Sequence, residues 1–102
     1  MVYELAAPAD LAAEIGKNMR LARVSRCLRQ EDLAKLSEAS LQAIKNLENG
    51  GNVELVTFLR VAGALGMTSA IVKSCQPSPT SLDEIERIEA ARSDIRRVRV
   101  RP

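Results

Sequence analysis

One short stretch of the sequence, Ser40 to Gly50 (SLQAIKNLENG), concentrates side chains that can make specific hydrogen bonds. Its spacing predicts one helix in which Ile44 and Leu47 face a core, and Asn-Gly marks the end of that helix. The opposite face then presents a leucine, two amides and one cation: Leu41, Gln42, Lys45 and Asn46. Amide groups both donate and accept hydrogen bonds, and lysine adds a point charge. The stretch has the chemistry of a binding surface, although a solvated helix face can carry the same residue types.

The rest of the sequence offers little for catalysis or metal binding. There is no histidine, and the two cysteines, Cys27 and Cys75, do not form a metal-binding pair. A glycine-rich phosphate loop and a pair of carboxylates suited to acid–base chemistry are also missing from the pattern. We therefore expect two free thiols, no metal and no cofactor, and an enzyme is the weakest interpretation.

The net charge indicates no particular class of partner, but the charged residues are unevenly distributed along the sequence. Fifteen basic and 13 acidic residues leave a net charge of only +2. Early in the chain arginines recur at every third position, as Arg20, Arg23, Arg26 and Arg29. Near its end four more make the last seven residues strongly basic: Arg96, Arg97, Arg99 and Arg101. Such clusters suit phosphates or acidic proteins, but at most two members of the first series are expected on one helix surface. No signal peptide and no apolar run of about 20 residues is evident, so we expect a cytoplasmic protein without a membrane span.

The apolar periodicity predicts an all-α domain of four to five helices. The first helix begins at an Asp10 cap and stops near Cys27, and the second starts around Gln30. The third runs from Leu41 to about Glu48 after a Ser40 cap. The fourth lies within NVELVTFLRVAGALGM and is closed by Gly66, and a split near its start is left open. The side chains expected to face the core are Leu11, Ile15, Met19, Ala22, Leu33, Ala34, Leu36, Ile44, Leu47, Val53, Val56, Phe58 or Leu59, Ala62 and Leu65.

After Gly66 the pattern changes. Thr68 to Lys73 is rich in β-branched residues, so a short strand is predicted within 68–75. A lone strand has unpaired edges, and its expected partner is the same strand of a second chain. A proline-containing linker follows, and then a last helix that starts at a Ser81–Glu84 capping box and carries Leu82, Ile85, Ile88 and Ile95. The predicted organisation is a lead at 1–10, a helical domain at 11–67, a dimerisation strand at 68–75, and a linker, helix and basic tail at 76–102.

Residues 15–67, about half the chain, contain a series of short motifs at characteristic positions: Gly16, Arg20, Leu28-Arg29-Gln30-Glu31-Asp32-Leu33-Ala34, Ala39-Ser40, Ile44, Leu47-Glu48-Asn49-Gly50, Leu59 and Val61-Ala62-Gly63-Ala64-Leu65-Gly66. In this pattern they resemble the Xre, or lambda-repressor-like, helix-turn-helix family. Three positions depart from the family pattern. Cys27 replaces the glycine before the second helix, Arg29 the usual threonine cap, and Glu38 the turn glycine. A residue other than glycine can occupy such a turn at some cost in strain.

The resemblance implies a site for double-stranded DNA. Gln30 corresponds to the glutamine that anchors a phosphate at the start of the second helix, and Ser40 to the cap of the reading helix. Leu41, Gln42 and Lys45 correspond to side chains that reach base edges, with Asn46 one turn along and Asn49 near the backbone. Two roles remain open for Arg23: a phosphate contact, or a buried ion pair with Glu48.

Two flanking segments, VYELAAPADLAAEIGKNMRLAR at the start and LGMTSAIVKSC after the fourth helix, resemble those of HipB antitoxins. This implies an operator-binding homodimer that recognises an inverted repeat, represses its own operon and holds a HipA-like kinase toxin. Two alternatives remain. The chain could be a stand-alone or phage-type repressor without a toxin, or a protein-interaction adaptor that has lost DNA binding, which the Arg29 and Glu38 departures favour.

Overall fold

The computed structural model of the protein describes residues 2–98, with the side chains of residues 2–96. These residues form a short 3₁₀ helix, Tyr3–Leu5, and six α-helices. In chain order the helices are α1 (Pro8–Ser25), α2 (Gln30–Ser37), α3 (Leu41–Glu48), α4 (Leu55–Ala64), α5 (Thr68–Ser74) and α6 (Leu82–Val98). The all-α prediction is thereby confirmed for the described chain. Two compact units are present, divided between Ile71 and Val72.

The first unit is built around one apolar core. Its buried apolar side chains come from α1 to α4 and the residue that ends α4: Met19, Leu33, Ala34, Ile44, Leu47, Val61, Ala62 and Leu65. Helix α3 packs against α1, α2 and α4, and α2 also packs against α4. Burying an aliphatic side chain of this size stabilises a fold by about 1.5–3 kcal/mol. The core therefore fixes α3 from one side and leaves its other side exposed.

Three predicted core residues face solvent instead. Ile15, Leu36 and Val56 are 45%, 62% and 54% exposed, whereas Val61 and the polar Ser37 are buried. Ser37 tolerates burial because its hydroxyl donates a hydrogen bond of 2.7 Å to the Leu33 carbonyl oxygen. Short helices allow several apolar stripes of similar width, so the sequence pattern identified the helices better than their buried faces.

Close packing between α1 and α3 depends on glycine. A Cβ atom added to Gly16 would lie 3.0 Å from the Glu48 carbonyl oxygen and closer still to that of Leu47. Gly50, with a φ of +77°, would place a Cβ atom 2.8 Å from the Ala13 Cα atom. Both glycines let the backbone of α3 approach α1 more closely than a side chain would permit.

The predicted strand at 68–75 is wrong. Thr68–Ser74 is helix α5, and residues 2–98 contain no strand. Gly66, with a φ of +73°, ends α4 in a Schellman turn, in which the Met67 amide donates to the Ala62 carbonyl oxygen at 2.8 Å. Met67 then accepts a hydrogen bond from the Ile71 amide at 3.1 Å, and Ile71 packs against the core. This packing overrides the β propensity of the segment, and the strand-paired dimer loses its structural basis.

The second unit contains α6. Its predicted start is confirmed, since the Ser81 hydroxyl accepts a hydrogen bond from the Glu84 amide at 3.1 Å. The Glu84 carboxylate in turn accepts from the Thr80 amide at 2.8 Å. Within residues 2–98, no helix is both long and apolar enough to cross a membrane. The predicted basic tail, with Arg99 and Arg101, lies outside the described residues.

Candidate nucleic-acid interface

Helices α2 and α3 are joined by a tight turn in which Glu38 is left-handed, with a φ of +58°. The Ala39 amide donates to the Ala34 carbonyl oxygen at 3.1 Å, which closes α2. Cys27, before α2, is also left-handed, with a φ of +57°. These are the two positions at which the Xre pattern has glycine, and a non-glycine residue there costs roughly 1–2 kcal/mol. The turn that separates α2 from α3 is therefore formed at the expense of strain.

The exposed face of α3 carries the predicted reading residues. Ser40 caps the helix, because its hydroxyl accepts a hydrogen bond from the Ala43 amide at 3.0 Å. Ile44 and Leu47 are buried, which confirms the predicted inner face and the predicted helix bounds. The four side chains opposite are exposed, as the spacing indicated: Leu41, Gln42, Lys45 and Asn46. The structure thus brings these four predicted residues together on one surface.

The two amides of this face are linked to each other. Gln42 Nε2 donates a hydrogen bond of 3.0 Å to Asn46 Oδ1, one helical turn away. The bond restricts the rotamers of both side chains before any ligand arrives. A ligand that bonds both amides therefore meets groups that are already partly oriented, which reduces the entropy lost on binding.

A buried ion pair lies beneath the start of α2. Arg23 Nε donates to Glu48 Oε2 at 2.7 Å and Nη2 to Glu48 Oε1 at 3.0 Å, while Nη1 donates to the Leu28 carbonyl oxygen at 2.8 Å. The Arg23 and Glu48 side chains are only 10% and 4% exposed. Of the two roles open for Arg23, the structure shows the ion pair. This pair ties the end of α3 to α1 and to the loop before α2.

Gln30 joins the same network. Its Nε2 donates a hydrogen bond of 3.1 Å to Glu48 Oε1. Burial raises the pKa of the Glu48 carboxyl, but hydrogen bonds from Arg23 and Gln30 outweigh it, so that pKa is below its usual value. The hydrogen bond to Glu48 likewise raises the pKa of Arg23. Glu48 is consequently ionised at neutral pH and holds the amide of Gln30 in place.

A polar depression of about 410 Å³ opens above this network. Arg20, Arg29, Gln30, Glu31 and Asn49 line it, with Arg23 and Glu48 contributing their buried groups. The first turn of α2 borders it with amide groups that have no partner within the helix, and these favour an anion. Asn49 and Gln30 are therefore brought together at one site.

Arg20 and Arg29 were not among the predicted site residues. The periodicity placed at most two arginines of the series on one surface, yet three of them line this depression. The chain reverses at the left-handed Cys27, which returns Arg29 to the side of α1 that carries Arg20. Arg26 points elsewhere and donates to the Ala64 carbonyl oxygen at 3.3 Å. Only recognition of that reversal could have revealed the cluster from the sequence.

Among residues 2–98, no group of three or more histidine, cysteine, aspartate or glutamate side chains is arranged to hold a metal ion.

The comparisons with family models and with curated sequences found no relative of this chain. No family model matches the chain, and no curated protein sequence is significantly similar to it. The function must therefore be argued from the geometry of α2, α3 and the depression beside them.

Proposed function

We propose that this protein is a sequence-specific DNA-binding transcriptional repressor that inserts α3 into the major groove. One observation carries the proposal: the four reading side chains lie exposed on a helix that Ile44 and Leu47 anchor, next to a cationic depression at the start of α2. The arrangement supplies two kinds of contact at once. Base edges give sequence specificity, and phosphates give register and most of the non-specific affinity.

The chemistry of the exposed face suits base edges. The amides of Gln42 and Asn46 can each pair with an adenine through two hydrogen bonds. Lys45 can donate to the acceptors of guanine, and Leu41 can contact the methyl group of thymine. A major groove about 12 Å wide accepts one helix, and the diameter of a helix with its side chains is about 10–12 Å.

The depression beside α2 suits a phosphate. The Gln30 amide nitrogen carries two hydrogens, so it can keep its bond to Glu48 and offer the other hydrogen to a phosphate oxygen. The guanidinium groups of Arg20 and Arg29 add positive charge at the rim. Ser40 and Asn49, the two caps of α3, are the proposed contacts to the DNA backbone at its two ends. The Arg23–Glu48 pair contributes by holding these elements in register rather than by touching DNA.

The antitoxin role is proposed from the resemblance to HipB proteins. On that account the repressor is a homodimer on an inverted repeat, and it also binds a HipA-like kinase toxin. The absence of a strand in residues 68–74 removes one of the two features behind this role and favours a stand-alone repressor as the second candidate. Affinity purification of the tagged chain from its native host distinguishes the two: co-purification of a kinase in stoichiometric amount supports the antitoxin, and the chain alone supports the stand-alone repressor.

DNA binding is tested by selection of bound fragments from a genomic library, followed by fluorescence-anisotropy titration of the enriched site. We expect an enriched inverted repeat and an affinity that falls steeply between 50 and 200 mM salt, by about tenfold or more, because phosphate contacts release counterions. No enriched sequence, together with no binding at 50 mM salt, would contradict the proposal and favour the adaptor interpretation.

A further inference from the structure

Helix α6 carries an apolar stripe that the other residues of the second unit leave largely exposed. Ile85 and Ile95 are 45% and 65% exposed, and Ile88 between them is half-buried. Their spacings of three and seven residues place all three on one side of the helix. A shallow depression beside Ile88, bordered by Pro77 and Ala91, gives this side a concave edge. The stripe has the form of a helix–helix contact surface.

We propose that α6 pairs in antiparallel orientation with α6 of a second copy of this chain. The distribution of charges along α6 indicates both that its partner is a second α6 and that the two helices run in opposite directions. The first half is mainly acidic, with Arg87 as its one cation, and the second half is mainly basic among the described side chains, with Asp94 as its one anion. The acidic residues of the first half are Asp83, Glu84, Glu86 and Glu89, and the basic residues of the second half are Arg92 and Arg96.

Direction follows from these charges. In an antiparallel pair, the acidic half of each helix lies beside the basic half of the other, and the opposite charges attract. A parallel pair would place acidic beside acidic and basic beside basic, which is unfavourable across such a short contact. The charge pattern of α6 is therefore complementary to that of a second α6 in antiparallel orientation.

The positions of the isoleucines also fit an antiparallel pair. Pairing about a twofold axis at the height of residue 90, whose own side chain faces away from the contact, sets Ile85 against Ile95 of the second copy, at both ends of the contact. Ile88 then lies beside Arg92 of the second copy, whose long aliphatic part can cover it while the guanidinium reaches solvent. Within one helix, Arg92 Nε lies 3.8 Å from Glu89 Oε1. The twofold axis sets this ion pair beside the same pair of the second copy, so that acidic and basic groups alternate along the contact.

The contact is short, which determines its strength. Helix α6 has 17 residues, about 25 Å of helix or little more than two heptads. We expect a dimer that forms at micromolar concentrations. This pairing would supply the dimer that the proposed repressor needs, yet it rests on α6 alone and can be measured without DNA. Failure of one proposal is therefore distinguishable from failure of the other.

Sedimentation equilibrium of the full chain provides the first test. We expect a mass that rises with concentration from 11.1 kDa towards twice that value. Ile85→Ala with Ile95→Ala should weaken the dimer by about 100-fold, since four buried isoleucines are truncated per dimer. Alanine favours helix, so the loss cannot come from unfolding of α6. Ala90→Ser, an exposed position on the opposite side of the helix, should leave the dimer unchanged. A monomer at all concentrations up to 200 μM, or equal dimerisation of the isoleucine variant and wild type, would overturn the proposal.

Orientation is tested by disulfide trapping after Cys27 and Cys75, both exposed, are replaced with serine. Two proteins are made, one with Ile85→Cys and the other with Ile95→Cys. We expect a disulfide-linked dimer when the two are mixed under mild oxidation, and little when either is oxidised alone. Efficient linkage of each protein to itself, without preference for the mixture, would show a parallel pair and overturn the antiparallel arrangement.

Discussion

Breaking the Arg23–Glu48 pair should destabilise the first unit strongly. Arg23→Met keeps most of the aliphatic volume but removes three hydrogen bonds and leaves the Glu48 carboxylate, 4% exposed, with only the Gln30 amide as partner. Removal of one partner from a buried pair costs roughly 3–5 kcal/mol. We expect a loss of about 3 kcal/mol at pH 7, since Gln30 still satisfies part of the charge. The free energy of unfolding of a whole domain is only about 5–15 kcal/mol, so this loss is a large part of it.

The pH dependence of stability should change sign in the same variant. In the wild type the pKa of Glu48 is lowered, so its contribution is present above the unfolded value of about 4.3 and is lost as the pH falls through the folded pKa. In Arg23→Met, burial is opposed only by the hydrogen bond from Gln30 and the charge of Arg20, and the pKa of Glu48 should rise above the unfolded value. Protonation then favours the folded state, and stability should increase as the pH falls from 7 towards 4.5.

Urea denaturation followed by circular dichroism at 222 nm, between pH 4.5 and 7, measures both effects. Arg29→Met is the matched control, because Arg29 forms an ion pair of 3.2 Å with Asp32 but its side chain is 72% exposed. Its unfolding curve should overlap that of the wild type at pH 7. If Arg23→Met were no less stable than Arg29→Met, or if its stability rose with pH like that of the wild type, the structural role assigned to Arg23 would be refuted.

Three further substitutions test the elements that position α3, each by the same denaturation measurement. Glu38→Gly should stabilise the domain by about 0.5–1 kcal/mol because glycine accepts the left-handed conformation without strain, whereas Lys35→Gly within α2 should destabilise it. Gly16→Ala should cost about 2 kcal/mol because its Cβ atom meets the backbone of α3, while Gly63→Ala, whose nearest neighbour would be 3.4 Å away, should not destabilise. Ser40→Ala should cost about 1 kcal/mol through loss of the α3 cap, and Ser40→Asp should retain that stability. Equal behaviour of a variant and its control would contradict the corresponding contact.

The sequence was most informative where local signals agreed with tertiary packing. For α3, the serine cap, the Asn-Gly stop and the apolar spacing all indicate the same bounds, and the observed helix is Leu41–Glu48. For Thr68–Ser74 they disagreed, because β-branched side chains favoured a strand while the turn at Gly66 and the packing of Ile71 select a helix. Propensity over seven residues amounts to too little free energy to resist such packing.

Long-range geometry explains what the sequence could not predict about the site. The spacing of Arg23 fits either a phosphate contact or an ion pair, and only the position of Glu48, 25 residues later, selects the pair. The cluster around the depression depends on a reversal at Cys27, a residue type that rarely adopts a left-handed conformation. The reading face needed no such information, since one helix carries all four of its side chains.

Removal of the two α3 amides tests the proposed DNA recognition most directly. We compare Gln42→Ala with Asn46→Ala against a control that removes one asparagine and one glutamine elsewhere, Asn18→Ala with Gln76→Ala, both exposed. In anisotropy titrations on the selected site at 100 mM salt, the α3 variant should bind about 100-fold more weakly, since each bidentate pair contributes roughly 1–3 kcal/mol, and its binding to unrelated DNA should be unchanged. The control should bind both DNAs like the wild type. Equal affinity of the α3 variant and the wild type for the selected site would contradict α3 as the recognition helix.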